Sequence, residues 1–394
     1  MDTLEKLSAL GEEARYDLCC GACGTQANRK KDDIGRWIYP AAMPDGKRVA
    51  LLKVLQTNVC ENDCYYCATR RSSDVRRTAF SPDELATAFD ELARRGRAQG
   101  LFLSSGVAGS AGRSMDRMLA TAELVRRKHA FRGYIHLKIL PGSTRAHVEQ
   151  ALRLADRVSV NLEAPKAEYL GLIAPDKDFF AGLLQMIRWV HQIRQEAGGL
   201  SAVSQTTQLV VGAARESDAD ILRTSSWLYG NLGLSRVYYS AFQPQAGTPL
   251  SDLPPTPALR EHRLYQSDFL LRQYGFKFDE LTFDEGGFLS LATDPKTAWA
   301  MRHPQFFPLE VNRAAWDQLV RVPGIGPKSA LQLLNARKIA RVQTLRDLKQ
   351  LGAEADRAAP FVLLDGKRPP YQLPLWDAQP FSSQRAQSPQ MQCG

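Results

Sequence analysis

From residue 49 onward, short apolar runs of strand length alternate with longer stretches in which apolar residues recur every three to four positions. Six runs read as strands: VALLKVLQT (49–57), GLFLSSG (100–106), GYIHLKIL (133–140), RVSVNLEAP (157–165), QTTQLVVGA (205–213) and RVYYSAFQP (236–244). The stretches between them carry helix signals. SPDELATAFDELARRG opens with Ser81, Pro82 and Glu84, and SMDRMLATAELVRRKH, STRAHVEQALRLA and FFAGLLQMIRWVHQIRQEAGG keep helical periodicity. Strands that alternate with helices in this way predict an α/β protein, an open or partial (β/α)6 TIM-like barrel over residues 49–290.

Past residue 250 the pattern changes. LPPTP is a stiff turn, the helical stretch ALREHRLYQSDFLLRQYG follows, and a separate helical piece begins near Asn312. The expected organisation is an N-terminal extension with a cysteine cluster (1–48), the barrel (49–290), an all-α region (291–376) and a disordered tail (377–394) rich in Gln, Ser and Pro. The balance of 44% apolar and 24% charged residues suits a soluble globular chain. MDTLEKLSALGEEARYDL has no apolar signal core, and no run approaches the roughly 18 apolar residues of a membrane span, so a cytoplasmic protein without a membrane partner is expected.

The formal net charge is +9, and it is concentrated. Residues 313–349 hold eight Lys or Arg against Asp317 and Asp347, which is +6 in one short stretch. Charge gathered in this way points to a polyanionic partner.

Six of the seven cysteines fall in two short clusters, which fits thiolates kept for metal work better than a secreted disulfide framework. Cys60, Cys64 and Cys67 stand directly after the first strand run, at the carboxyl end of the sheet, where α/β barrels place their chemistry. Soft thiolates at this density select zinc or an iron-sulfur cluster. A structural zinc site wants four closed ligands, and no second thiol pair follows downstream. A cubane held by three thiolates keeps one iron open for a chelating partner.

Cys60-x3-Cys64-x2-Cys67, with Tyr66 before the last thiol, resembles the signature of the radical S-adenosylmethionine (SAM) superfamily. The resemblance implies a 4Fe-4S cluster whose open iron is chelated by the methionine end of S-adenosylmethionine, and a 5'-deoxyadenosyl radical that abstracts hydrogen from a substrate. Ser104-Ser105-Gly106 resembles the motif that accepts the methionine amino group, although the usual Gly-Gly-Glu is replaced. QLVVGAARE resembles the fifth-strand glycine motif near adenine, with Gly212 and Glu216 at the matching places. Asn161 and Glu163 are candidates for the ribose and the methionine carboxylate region, or alternatively loop caps. Lys138, alternating with His136, is a candidate for the cofactor carboxylate or for a barrel-mouth salt bridge.

LVRVPGIGPKSALQLL resembles the helix-hairpin-helix motif of DNA repair proteins, with a first helix over about Asn312 to Arg321 and Pro327 opening the second. Gly324 and Gly326 permit a tight turn at a helix N-terminus, a natural phosphate site, and Lys328 adds charge. Arg76 and Arg77, after Arg70 and Arg71, are further candidates for phosphate contacts. With both motifs present, the chain from RYDLCC to LLDGK resembles the DNA modification/repair radical SAM family, which is linked in bacterial genomes to a uracil-DNA glycosylase-like partner.

The expectation is a radical SAM enzyme that modifies or repairs DNA and draws electrons from a flavodoxin or ferredoxin. Two other readings stay open: the same chemistry on RNA or nucleotides, and a non-catalytic iron-sulfur redox sensor that binds DNA. Cys19-Cys20-x2-Cys23 is richer in thiols than the resemblance implies, and is either an auxiliary cluster or a set of buried thiols.

Overall fold

A computed structural model describes residues 1–14, 37–42 and 48–371. Cys19, Cys20, Cys23, Cys393 and the expected tail lie outside them. The chain divides into two compact units, Met1–Leu271 with Lys277–Pro295, and Arg272–Phe276 with Lys296–Gly394.

The first unit is built on one seven-stranded sheet in chain order: β1 (Ile38–Ala42), β2 (Arg48–Leu55), β3 (Gly100–Ser104), β4 (Tyr134–Lys138), β5 (Arg157–Ser159), β6 (Ser204–Val211) and β7 (Arg236–Ala241). From β2 to β7 every pairing is parallel. Helices fill the crossovers: α2 (Pro82–Arg94) and α3 (Ala111–Glu123), then α4 (Arg145–Leu154), then α5 (Ala167–Ile173) and α6 (Gln185–Glu196), and α7 (Asp218–Leu232), with α1 (Thr3–Glu13) ahead of the sheet. The six parallel strands coincide with the six apolar runs. Their continuity has a simple cause: β3 is buried along its whole length and β2 from Leu51 to Leu55, so both faces are covered and polar alternation disappears. The capping box expected at Ser81 is present, with the Ser81 hydroxyl accepting from the Glu84 N–H at 3.2 Å and Glu84 accepting from the Ser81 N–H at 3.3 Å.

β1 is an addition to the expected strands. IYPAA is short and contains Pro40, which a sheet accepts at its edge, and it pairs antiparallel with β2, Ile38 opposite Leu52. The strand also explains how Lys53 occupies a wholly buried position in an apolar run. Its ammonium lies 4.3 Å from the Tyr39 ring centroid and 5.8 Å from that of Phe102.

The second unit is not all-α as expected: Leu309–Glu310 pairs in parallel with Val362–Leu363, and helices occupy Trp316–Leu319, Pro327–Ala336 and Leu345–Gln350. The first helix is therefore shorter than the expected Asn312 to Arg321. The reason is local: Arg313 and Ala314 donate their N–H groups to the Glu310 carbonyl in a turn, and Ala315 is extended at ψ 167°. Glu310 fixes that turn, accepting from the N–H and the Nδ2 of Asn312 at 2.9 Å each and from the Gly366 N–H at 2.7 Å. Burial alone would raise the Glu310 carboxyl, but these donors outweigh it and hold its pKa below the usual 4.5.

A carboxylate lowered on folding stabilises the fold above its unfolded pKa and loses that contribution as pH falls through the folded value. Glu310→Gln is expected to cost roughly 1–2 kcal/mol at neutral pH. Thermal melts of variant and wild type should converge below pH 4.5.

No helix among the described residues is long and apolar enough to cross a membrane.

Candidate cluster and cofactor site

The loop after β2 is fixed by its own sequence. Asn58, fully buried, donates from Nδ2 to the Arg76 carbonyl at 2.8 Å and accepts the Thr78 N–H at 2.7 Å, so the two ends of the loop are held together. Arg77 reaches into it and donates to the carbonyls of Asn58 (2.6 Å), Thr69 (2.8 Å), Arg70 (2.6 Å) and Ser73 (3.0 Å). The expected phosphate role of Arg77 is corrected accordingly: its guanidinium is already satisfied by backbone oxygens, and it braces the loop. Arg70 is paired with Asp63, whose carboxyl it holds down at about 2, while Arg76 remains exposed.

The loop is also tied to its neighbours. Glu61 N–H donates to the Val107 carbonyl at 2.7 Å, and Tyr65 N–H to the carbonyl of Ile173, at the end of α5, at 2.8 Å. These ties bring Cys60, Cys64 and Cys67 onto the wall of a cavity of about 280 Å³ at the carboxyl ends of the strands. Burial pushes the Cys64 thiol up to about 11 and raises Cys67 as well, so these two bare thiols hold their protons at neutral pH and metal loading must release them.

Several residues singled out in the sequence meet in this cavity: Tyr66, Ser104, Ser105, Gly106, Lys138, Asn161 and Glu163 all line it. Gly106 is required by space. A Cβ there would lie 2.2 Å from the Val59 carbonyl oxygen and 3.3 Å from the Cys60 Cβ. His136, beside Lys138 on β4, is fully buried instead and bonds the Ser159 hydroxyl through Nε2 at 2.9 Å.

Gly212 is not among the residues that line the cavity. Its φ of +92° and its N–H, held by the Glu216 carboxylate, serve the turn after β6, and a Cβ there would fall 2.0 Å from the Thr256 hydroxyl. On β6 the cavity is lined by Gln208 and Val210.

Sequence reasoning missed Glu13, Gln243 and Lys177. Lys177 lies in LIAPDKDF, where its N–H donates to the Ala174 carbonyl at 3.0 Å. The following π-helical turn, Phe179–Leu184, is capped by the Asp178 carboxylate. Lys177 Nζ lies 2.8 Å from Glu163 Oε1 and 3.4 Å from the Tyr66 hydroxyl. Burial opposes its charge, but Cys64 and Glu163 outweigh burial and raise the ammonium above its usual pKa. No short-range signal marks this residue, because its partners come from two other segments. Glu13, the last residue of α1, accepts from Asn58 Nδ2 at 2.9 Å, and burial raises its carboxyl.

Three thiols on one wall, next to a backbone cradle at Gly106, fit a cubane whose three irons each take a different sulfur. Cys60, Cys64 and Cys67 would hold the cluster. The chemistry it supplies with S-adenosylmethionine is one-electron cleavage to a carbon radical. Residues of the cavity wall, among them Ser104, Ser105, Gly106, Lys138 and Asn161, would orient the cofactor and exclude water from it.

Residues 54–228 match the family model described as Radical SAM superfamily. The chain thus carries a radical SAM domain, an enzyme domain whose cofactors are a 4Fe-4S cluster and S-adenosylmethionine, on an α/β partial barrel. No curated protein matches the chain.

Among solved structures it is similar to the FeFe-hydrogenase maturase HydG from Carboxydothermus hydrogenoformans (14% identity, 55% of this chain and 50% of that one, TM-score 0.43). It is also similar to methylornithine synthase PylB (15%, 55% and 60%, 0.45) and to the radical S-adenosylmethionine methyltransferase TsrM from Kitasatospora setae (14%, 50% and 35%, 0.39). The chain spans between about a third and two thirds of the lengths of these three.

Proposed function

We propose that this chain is a radical SAM enzyme acting on nucleic acid, with DNA as the substrate class, in modification or repair. The observation that carries the reading is the glycine hairpin of the second unit. Gly324, at φ +83°, turns the chain between Trp316–Leu319 and Pro327–Ala336, and Gly326 caps the second helix with Pro327 in its first turn. Ile325 donates its N–H to the Val322 carbonyl at 3.1 Å, while the first N–H groups of the second helix have no intrahelical partner, and the exposed Lys328 stands beside them. Such a turn holds phosphate oxygens without reading bases, and the +6 charge of residues 313–349 supports a polyanion. Arg76 adds an exposed cation on the cluster loop. The electron donor in this reading is a flavodoxin or ferredoxin, and a uracil-DNA glycosylase-like protein is the proposed partner.

Gly324→Ala tests the hairpin. A Cβ there would meet the Glu354 carbonyl oxygen at 2.4 Å on a left-handed backbone, so a loss of roughly 1–3 kcal/mol is expected. Lys328→Ala leaves the turn intact, and should weaken duplex binding in fluorescence anisotropy and reduce its salt slope by about one phosphate contact. The reaction itself is tested by anaerobic incubation of DNA and RNA with reconstituted protein, S-adenosylmethionine and a reductant, followed by mass spectrometry of the nucleosides. An altered deoxynucleoside that is absent with Cys64→Ala is expected. Change in RNA alone moves the substrate, and no change in either polymer removes the nucleic-acid reading.

A further inference from the structure

Lys177 and Glu163 bring a buried charge pair to the same cavity wall as the three thiols. Both side chains are 7% exposed, and the pair is closed at 2.8 Å. Glu163 takes φ +66°, a backbone conformation that costs a residue with a Cβ about 1–3 kcal/mol. The surroundings hold it there: its N–H donates to the Gln208 carbonyl at 3.0 Å and its carbonyl accepts from Val210 at 2.8 Å. On the other side, the ammonium reaches the hydroxyl of Tyr66, which stands between Cys64 and Cys67 in the chain.

A buried ion pair is a poor device for stability, since its desolvation cost offsets most of its Coulomb gain. Strain and burial at the wall of a reaction cavity point to a function for the charge itself.

We infer that Lys177 is the counter-charge of the cluster bound by Cys60, Cys64 and Cys67, that Glu163 attenuates it, and that the pair sets the cluster's reduction potential. The step concerned is transfer of one electron from a low-potential donor to the oxidised cluster, with no bond made or broken. It adds a negative charge to a group already bound by three thiolates. A fixed cation within the same poorly solvated wall favours the reduced form over the oxidised one, and a fixed anion opposes it. Lys177 is thus a positioning residue that acts on the cluster through its field. The inference rests on the radical SAM reading of the thiol site.

The test is potentiometric titration of the anaerobically reconstituted full-length chain, without S-adenosylmethionine, followed by the EPR signal of the reduced cluster. Lys177→Met and Lys177→Gln are each expected to shift the reduction equilibrium about tenfold toward the oxidised form, which is 59 mV for a one-electron couple. Lys177→Arg should stay within about twofold of wild type, and Glu163→Gln should shift the equilibrium in the opposite direction. A packing role would move the Lys177 and Glu163 variants alike, so equal potentials throughout, or shifts of one sign, overturn the inference. If the two neutral Lys177 variants lose the cluster while Lys177→Arg keeps it, the requirement for charge stands. Loss in Lys177→Arg as well overturns it in favour of shape. A wild-type chain that takes up no iron removes the underlying cluster reading, a result distinct from all of these.

Discussion

Cys64→Ala is expected to abolish the formation of 5'-deoxyadenosine from S-adenosylmethionine and a reductant, to the background of the assay. The central thiol of the trio is buried on the cavity wall. Without it two sulfurs remain on that wall, and two thiolates do not fix a cubane that needs a third anchor while leaving one iron for the cofactor. The substitution removes a small side chain and should cost no more than about 1–2 kcal/mol of fold stability. Circular dichroism should therefore be unchanged while iron and sulfide per chain fall. A Cys64→Ala protein with wild-type iron and undiminished turnover would mean that the trio is not the ligand set.

Gly106→Ala should produce the next largest effect, by strain where Cys64→Ala acts by subtraction. The Gly106 N–H donates to the Thr57 carbonyl at 2.7 Å, so the segment cannot retreat from the 2.2 Å contact that a Cβ would make with Val59. The chain must open between β3 and the cluster loop, which displaces Cys60. An overpacking cost of roughly 1–3 kcal/mol imposed on the binding geometry corresponds to about 5- to 150-fold weaker cluster retention. Iron and sulfide analysis after anaerobic reconstitution reads this directly. Gly112→Ala is the control, since a Cβ there meets only the His147 ring at 3.5 Å.

These two positions were legible in the sequence for different reasons. The thiol trio is a local pattern, eight residues long, and it follows a strand whose double burial wrote an unbroken apolar run. The Ser81 cap and the Pro327 helix start are equally local, and both are present. What could not be read depends on partners that only the folded chain brings together. Lys177 gains its place from Glu163 and Tyr66, Lys53 from Tyr39 and Phe102, and Arg77 from four carbonyls that only the folded loop gathers. Gly212 and Glu216, paired in the sequence by motif alone, do meet: the positive φ of Gly212 makes the turn after β6, and its N–H is held by the Glu216 carboxylate.

Low-temperature EPR of the anaerobically reconstituted, reduced full-length chain, recorded with and without S-adenosylmethionine, tests the open-iron account most directly. The account predicts a 4Fe-4S signal that changes when the cofactor is added and is lost with Cys64→Ala. A colourless protein carrying zinc, or an iron-sulfur signal that S-adenosylmethionine leaves unmoved, would contradict it.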